Sequence, residues 1–190
     1  MAKRPGSSNT LRIIGGNHRG RKLAFPDVKG LRPTGDRMRE TLFNWLQNDI
    51  AGSRCLDMYA GSGALGFEAA SRGAAQVVMV EQNPRAVDQL KQNMQLLQLQ
   101  SVISVAKASS PAWLKTSEQQ FDIVFLDPPF ANNLLQASID ALVDGPWLAD
   151  QAHIYVERDV KQDMPGLPEN WSMVRDKKQG QVAYCLIKVE

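Results

Sequence analysis

Asp127-Pro128-Pro129-Phe130 closes the apolar run Phe121-Asp-Ile-Val-Phe-Leu126. Such a run reads as a buried central strand. Two consecutive prolines cannot continue a sheet ladder, so the strand has to stop at Asp127. A carboxylate, acceptor-only proline carbonyls and an aromatic ring are left at the carboxyl end of a strand. Open α/β sheets bind their ligands at that edge. The Asp127 carboxylate and the Pro128 carbonyl can accept hydrogen bonds from an amino group, and Phe130 can stack on a flat ring. The set suits a planar amine.

A second constellation is Leu56-Asp-Met-Tyr-Ala-Gly-Ser-Gly-Ala-Leu-Gly66, placed where a strand turns into a helix. Gly61 and Gly63 allow a tight bend and close approach by a ligand, and Gly66 allows close helix–strand packing. Glu81 ends the next strand, twenty residues after Gly61. A carboxylate there can take both hydroxyls of a ribose. The same spacing is also the fingerprint of a nicotinamide dinucleotide site. Three features argue for a different nucleoside cofactor. Asp57 puts a negative charge in the pocket, which a pyrophosphate opposes and an ammonium group favours. The motif starts more than fifty residues into the chain, behind a basic segment. Asp-Pro-Pro-Phe ends a later strand, and nothing resembles a hydride-transfer site.

These residues need a scaffold, and the chain spells one. Strands are expected at Arg54–Tyr59, Gln76–Glu81, Val102–Ala106, Phe121–Asp127 and His153–Glu157. Helices are expected at Asp36–Asn48, Ala64–Arg72, from Pro84 behind an Asn83 cap, at Pro111–Glu118 and at Asn133–Val143. Alternating β and α units predict a mostly parallel sheet with helices on both faces. Trp171–Arg175 and Gln181–Val189, around a turn at Lys177–Gly180, add an antiparallel C-terminal hairpin.

Charge is unevenly spread. Residues 1–39 carry ten Lys/Arg against two acids, whereas the rest of the chain holds twelve bases and eighteen acids. A basic head on an acidic body is a footprint of nucleic-acid binding. Leu11–Ile14 and Arg21–Phe25 flank a Gly-rich turn and predict a small basic hairpin able to lie along a phosphate backbone. Met1–Thr10 reads as a solvated tail. Cys55 and Cys185 read as reduced core residues, and two cysteines with two histidines leave almost no ligands for zinc. No apolar stretch reaches a membrane span and no signal-peptide pattern opens the chain, so a cytoplasmic protein is expected.

Taken together, the Asp57–Gly66 loop, Glu81 and Asp127–Phe130 resemble S-adenosylmethionine-dependent methyltransferases acting on exocyclic amines. Adenine-N6 DNA enzymes and some protein-glutamine enzymes share Asp-Pro-Pro-Phe. Further blocks narrow the likeness: Arg12-Ile-Ile-Gly-Gly16, Arg19-Gly-Arg-Lys-Leu23, Leu31-Arg-Pro-Thr34, Asp36-Arg-Met-Arg-Glu40 and Leu42-Phe-Asn44. With them the chain resembles the bacterial 16S ribosomal RNA guanine-N2 methyltransferases. The resemblance implies a Rossmann-like class I methyltransferase fold with a seven-stranded sheet over residues 36–190, and an RNA-contacting extension over residues 1–35. It implies that Asp57, Ala60, Gly61, Ser62 and Gly63 hold the methionine end of S-adenosylmethionine, with Glu81 on the ribose and Gln82 beside the adenine. The family's acid at the next strand end is missing from Ala106-Lys-Ala-Ser109, so Ala108 and Ser109 are expected to replace it. Asp127, Pro128 and Phe130 become the catalytic group. Arg12, His18, Arg19, Arg21, Lys22, Arg32 and Arg37 become the RNA contacts. The implied partner is 16S rRNA in the small ribosomal subunit or its assembly intermediate, approached by a monomer. The base itself comes only from the resemblance. An adenine-N6 DNA methyltransferase and a non-catalytic RNA-binding assembly module remain alternatives.

Overall fold

The computed structural model describes residues 9–28, 31, 33–129 and 134–190. Phe130, Arg32 and most of the N-terminal tail lie outside the described residues. In chain order the elements are β1 (Asn9–Arg12), β2 (Lys22–Phe25), α1 (Asp36–Trp45), β3 (Arg54–Asp57), α2 (Ala64–Ser71), β4 (Gln76–Glu81), α3 (Pro84–Leu96), β5 (Ile103–Lys107), α4 (Ser110–Leu114), β6 (Phe121–Leu126), α5 (Leu134–Val143), β7 (Leu148–Asp159), β8 (Trp171–Gln179) and β9 (Val182–Val189).

The main sheet runs β5-β4-β3-β6-β7-β9-β8. Its first five strands are parallel, and β9 pairs antiparallel with both β7 and β8. The strand order reverses between β3 and β6, which opens a crevice at their carboxyl ends. Alternate residues face opposite layers. Cys55, Met79, Phe125 and Tyr155 join the core under α1, α2 and the N-terminal hairpin. Leu56, Val80, Leu126 and Val156 join the core under α5. Asn83 caps α3, its side chain accepting from the N–H groups of Arg85 and Ala86, with Pro84 in the first turn.

The basic hairpin is real and is packed onto the body. β1 and β2 pair antiparallel, Arg12 opposite Lys22. Leu11, Ile13, Leu23 and Phe25 are buried in the same core as α1 and α2. The turn is held by α2: Asn17 N–H donates to the Ser71 carbonyl (2.7 Å), and Ser71 Oγ donates to the Gly15 carbonyl (2.6 Å). Gly16 has φ +72°, and a Cβ there would lie 1.9 Å from the Ser71 carbonyl oxygen, so only glycine fits. Beneath the turn is a buried ionic group. Arg39, 1% exposed, donates to Glu68 (3.3 Å), Asp36 (2.6 Å) and the Arg12 carbonyl (2.8 Å). Glu68, fully buried, also accepts from Arg72 (2.7 Å) and from the Ile14 N–H (2.9 Å). Arg72 in turn lies over the Phe43 ring. Arg39 therefore adds nothing to the basic surface of the head.

Several sequence boundaries need correction. β1 takes in Asn9 and Thr10 of the expected tail and stops at Arg12, because its pairing with β2 starts at Asn9 opposite Phe25. α4 spans five residues, not the expected Pro111–Glu118, because Thr116 and Ser117 close its end as a turn. β7 begins at Leu148, well before His153. Its first half carries exposed Asp150 and Gln151, which hide a strand from an apolar pattern. β8 runs on to Gln179, so the turn falls at Gly180-Gln181. That outer strand pairs on one side only, and its wet residues give no periodic signal.

Candidate active site

Four acids meet at the carboxyl edge of the sheet. Asp57 ends β3, Glu81 ends β4, Asp127 follows β6 and Glu157 lies near the end of β7. Asp57 is opposite Phe125 on β6, so Asp127 stands two residues farther along the neighbouring strand. Leu126 is opposite Val156, which brings Glu157 level with Asp127 one strand away. By strand alternation Asp57, Asp127 and Glu157 share the layer that holds Cys55, Phe125 and Tyr155.

The Gly-rich turn wraps this edge. Ala60 N–H donates to the Val80 carbonyl (3.0 Å), and Gly63 N–H donates to the Ala60 carbonyl (2.6 Å). Gly63, at φ +79°, caps α2, and a Cβ there would strike Phe67 and Leu90. Gly66 has no room for a Cβ beside Met79, and its N–H donates to Asp57 Oδ2 (3.1 Å). Ser62 is buried in the loop. Glu81 straddles two segments: Oε2 accepts from Gly61 N–H (2.9 Å) and Oε1 from Asn83 N–H (2.7 Å). A carboxylate offers about four lone-pair sites, so both oxygens can still accept from a ligand hydroxyl. Ala108 N–H donates to the Glu81 carbonyl (3.1 Å), which ties the end of β5 to the same edge. Ser109 and Gln82 are exposed beside it, and Pro128 is buried.

The electrostatics of this edge are unusual. Burial raises the Asp57 carboxyl to about 7, the nearby Asp127 charge pushing the same way against the Gly66 and Tyr59 N–H groups. Asp127, half-buried at the mouth, is raised to about 6 by burial, while the Thr34 hydroxyl opposes the rise. Thr34 Oγ1 donates to Asp127 Oδ2 (3.3 Å). Burial, and then the Asp127 charge, hold Glu157 well above the usual carboxylate range. None of these acids takes part in an ion pair among the described residues. Burial makes the ionised forms of these carboxyls costly, so a cationic or amine-bearing ligand that stabilises them is favoured.

The structure thus brings together Asp57, Ala60, Gly61, Ser62, Gly63, Glu81, Ala108 and Asp127. The basic residues sit apart. Arg19, Arg21, Lys22 and Arg37 are exposed on the hairpin and α1, and His18 is half-buried with its N–H bound to Ser71 Oγ (2.9 Å). Arg12 is exposed 3.9 Å from Asp36. The segment joining hairpin to α1 does reach the crevice, through Thr34 on Asp127 and Leu31 near Gly61. Thr34 and Glu157 were not assigned a role from sequence. For Glu157 a signal existed: like Asp127, it is an acid that closes an apolar run, here Ile154-Tyr-Val156.

The family model described as Conserved hypothetical protein 95 matches residues 11–188. Ribosomal RNA small subunit methyltransferase D of Escherichia coli (strain K12) is 47% identical over 190 residues, covering 99% of this chain and 96% of its own. The protein of that name from Haemophilus influenzae is 47% identical over 186 residues, covering 96% and 95%. The chain belongs to this family. A solved structure of the Escherichia coli protein yhhF superposes with a TM-score of 0.89 at 46% identity, over 96% of this chain and 99% of that one. The fold is the family's Rossmann-like class I methyltransferase fold, with the parallel sheet and antiparallel C-terminal hairpin read from the sequence. No helix among the described residues is long and apolar enough to cross a membrane.

Proposed function

We propose that this protein methylates the exocyclic N2 amine of a guanine in 16S rRNA, using S-adenosylmethionine. The observation that carries the reading is the placement of Asp57 and Asp127 on adjacent strands at the switch point, beside a Gly-rich turn. The relatives are ribosomal RNA small subunit methyltransferases by name, which supports an RNA substrate in the small subunit. The edge suits the cofactor chemically. Unpaired buried carboxylates suit its cationic amino-acid end, and the backbone at Gly61 and Gly63 is bare of side chains. When bound, the cofactor supplies an electrophilic methyl group.

In this reading Asp57 and the backbone from Ala60 to Gly63 hold the methionine end. Glu81 takes the ribose, and Gln82, Ala108 and Ser109 border the adenine. Asp127 and the Pro128 carbonyl accept hydrogen bonds from the target amine, whose lone pair is otherwise delocalised into the ring. Those acceptors pull the nitrogen towards a tetrahedral shape. They also stabilise the positive charge that grows on it, so they favour the transition state over the ground state. Phe130 stacks on the base, which leaves its helix to enter the crevice. Residues 1–35 serve the RNA, save that Leu31 and Thr34 reach the crevice, and residues 36–190 serve the chemistry. Arg12, His18, Arg19, Arg21, Lys22, Arg32 and Arg37 meet the RNA, in a cytoplasmic assembly intermediate or a finished subunit.

The test is methyl transfer from tritiated cofactor to ribosomal RNA of cells lacking the protein, followed by nucleoside analysis. N2-methylguanosine is the expected product, and Asp127→Ala should reduce its formation by about 10²-fold or more. Label in N6-methyladenine, or full activity in Asp127→Ala, refutes the reading.

A further inference from the structure

The exposed cations of the N-terminal turn lie at the far end of the sheet from the crevice. α2 starts behind Gly63 on the carboxyl edge and runs back to the amino edge. There Gly52 N–H donates to the Gly73 carbonyl (2.8 Å), and Ala75 N–H donates to the Ser53 carbonyl (2.8 Å) just ahead of β3. The turn is bound to Ser71 at that end of α2, and it carries Arg19 and Arg21 with it. The start of β3 lies roughly 16 Å below the level of Asp127, at the rise of an extended chain.

The carboxyl edge has cations of its own, on the C-terminal hairpin. β7 runs parallel to β6, β9 returns antiparallel and β8 is antiparallel to β9, so β7 and β8 both end on the side where β6 ends. Glu157, level with Asp127, is opposite Tyr184, and Tyr184 is opposite Lys177. Arg158, Ala183 and Lys178 form the next row. Lys177 therefore stands in the row of Asp127, three strands away and about 14 Å from it. Past the strand ends, Val160 N–H donates to the Gln181 carbonyl (3.0 Å), which brings Lys161 beside the hairpin tip. Lys161, Lys177 and Lys178 are exposed, and none of them takes part in an ion pair among the described residues. With Arg158 and Arg175, five cations here stand against Asp159, Asp163 and Asp176. Of these acids Asp159 is engaged by the Lys161 N–H (2.8 Å), and Asp176 lies a row farther from the tip.

We propose that Lys161, Lys177 and Lys178 form a second RNA-contact surface, which holds phosphates flanking the target nucleotide on the β8 side of the crevice. This inference rests on the RNA-methylation reading above. A polynucleotide whose base fills the crevice carries a phosphate at each nucleotide on either side, so its backbone runs along this edge. The N-terminal turn then meets a more distant part of the RNA. Lysines on an outer strand also serve to block pairing with a second chain, and β8 is such a strand. Such a guard is wanted where β8 is apolar, at exposed Met173, yet residues 171–174 carry no charge. The lysines are gathered instead at the catalytic end, and Lys161 lies off the strand altogether.

The experiment uses the full chain and small ribosomal subunits from cells lacking the protein. Affinity is followed against salt for wild type and for Lys161→Ala/Lys177→Ala/Lys178→Ala. Lys91→Ala/Lys115→Ala, two exposed cations on other elements, controls for net charge. The first variant should lower the slope of log affinity against log salt by about 2–3, with S-adenosylhomocysteine affinity within about two-fold as a folding check. The control should leave the slope unchanged. Cys55 and Cys185 are buried, so a photo-crosslinker attached to Gln179→Cys reports on the hairpin tip alone, and it should label 16S rRNA. An unaltered slope, an equal loss per charge in the control, or crosslinks to ribosomal protein without RNA overturn the proposal. An unaltered slope accompanied by self-association on gel filtration assigns the lysines to guarding β8. If the triple variant does not fold, the crosslink decides alone. The methylated nucleoside is read in parallel. A product other than N2-methylguanosine, with RNA crosslinks intact, refutes the base assignment and leaves this surface standing; N2-methylguanosine formed without RNA crosslinks does the reverse.

Discussion

Two groups of buried charge lie on the same side of the sheet and are solved in opposite ways. Under the hairpin, fully buried Glu68 faces Arg39 and Arg72 and also accepts from Ile14 N–H. At the crevice, Asp57, Asp127 and Glu157 face hydroxyls and backbone N–H groups, with no ion pair among the described residues. Paired charge is a structural joint, since its partners come with the fold. Unpaired charge is a standing demand for a positive ligand or a proton, and a site that binds one can use it. The paired group holds the hairpin against α2; on the proposed reading the unpaired group is the one that meets the amine.

The comparison can be broken by exchanging the treatment of one acid in each group. The largest effect on stability is expected from Glu68→Ala. Two guanidinium groups lose their buried partner, so denaturant unfolding should show a loss of about 3–5 kcal/mol. A loss below about 1 kcal/mol would mean that the hairpin does not depend on this joint.

Asp57→Asn should behave in the opposite sense. Its carboxyl is raised to about 7 in the folded chain from an unfolded value of 3.8. The folded state therefore holds the proton more tightly, and Asp57 contributes stability that is complete below about pH 4 and lost as pH rises through about 7. Melting of the ligand-free protein should become easier from pH 4 to pH 8. Asp57→Asn should flatten that slope, and should weaken S-adenosylmethionine binding by roughly 10- to 100-fold. A melting temperature that rises over this interval would contradict the unpaired-charge account.

The smallest effect concerns the hairpin surface. Replacing Arg19, Arg21 and Lys22 by alanine should weaken RNA binding and reduce the slope of log affinity against log salt by about 2–3, with stability nearly unchanged. An unaltered slope would mean that these exposed cations face water and not phosphate.

The strand-ending motifs were legible because each breaks a pattern. Asp127 stands where two prolines terminate an apolar run, and Gly61, Gly63 and Gly66 interrupt a helix start. Glu157 broke a pattern too, yet one acid at a strand end does not reveal its neighbour's register. Arg39 was counted with the basic head, because nothing local distinguishes a guanidinium that points inward. The length of β8 was hidden for a related reason: an edge strand needs only backbone pairing, and its side chains are free to be polar.

The order of apolar and polar residues, with the glycines and prolines that interrupt them, determined the alternating strands and helices and the placing of Asp57, Glu81 and Asp127 at strand ends. Those signals are local, since they depend on backbone freedom and on side chains within a few positions. Tertiary structure alone decided which strand lies beside which, and hence that Asp127 sits between Asp57 and Glu157. It also decided that Thr34 reaches the crevice from a distant segment and that Arg39 turns inward onto Glu68. Those outcomes depend on long-range packing and on the balance between burying a charge and pairing it, which no short stretch of chain contains.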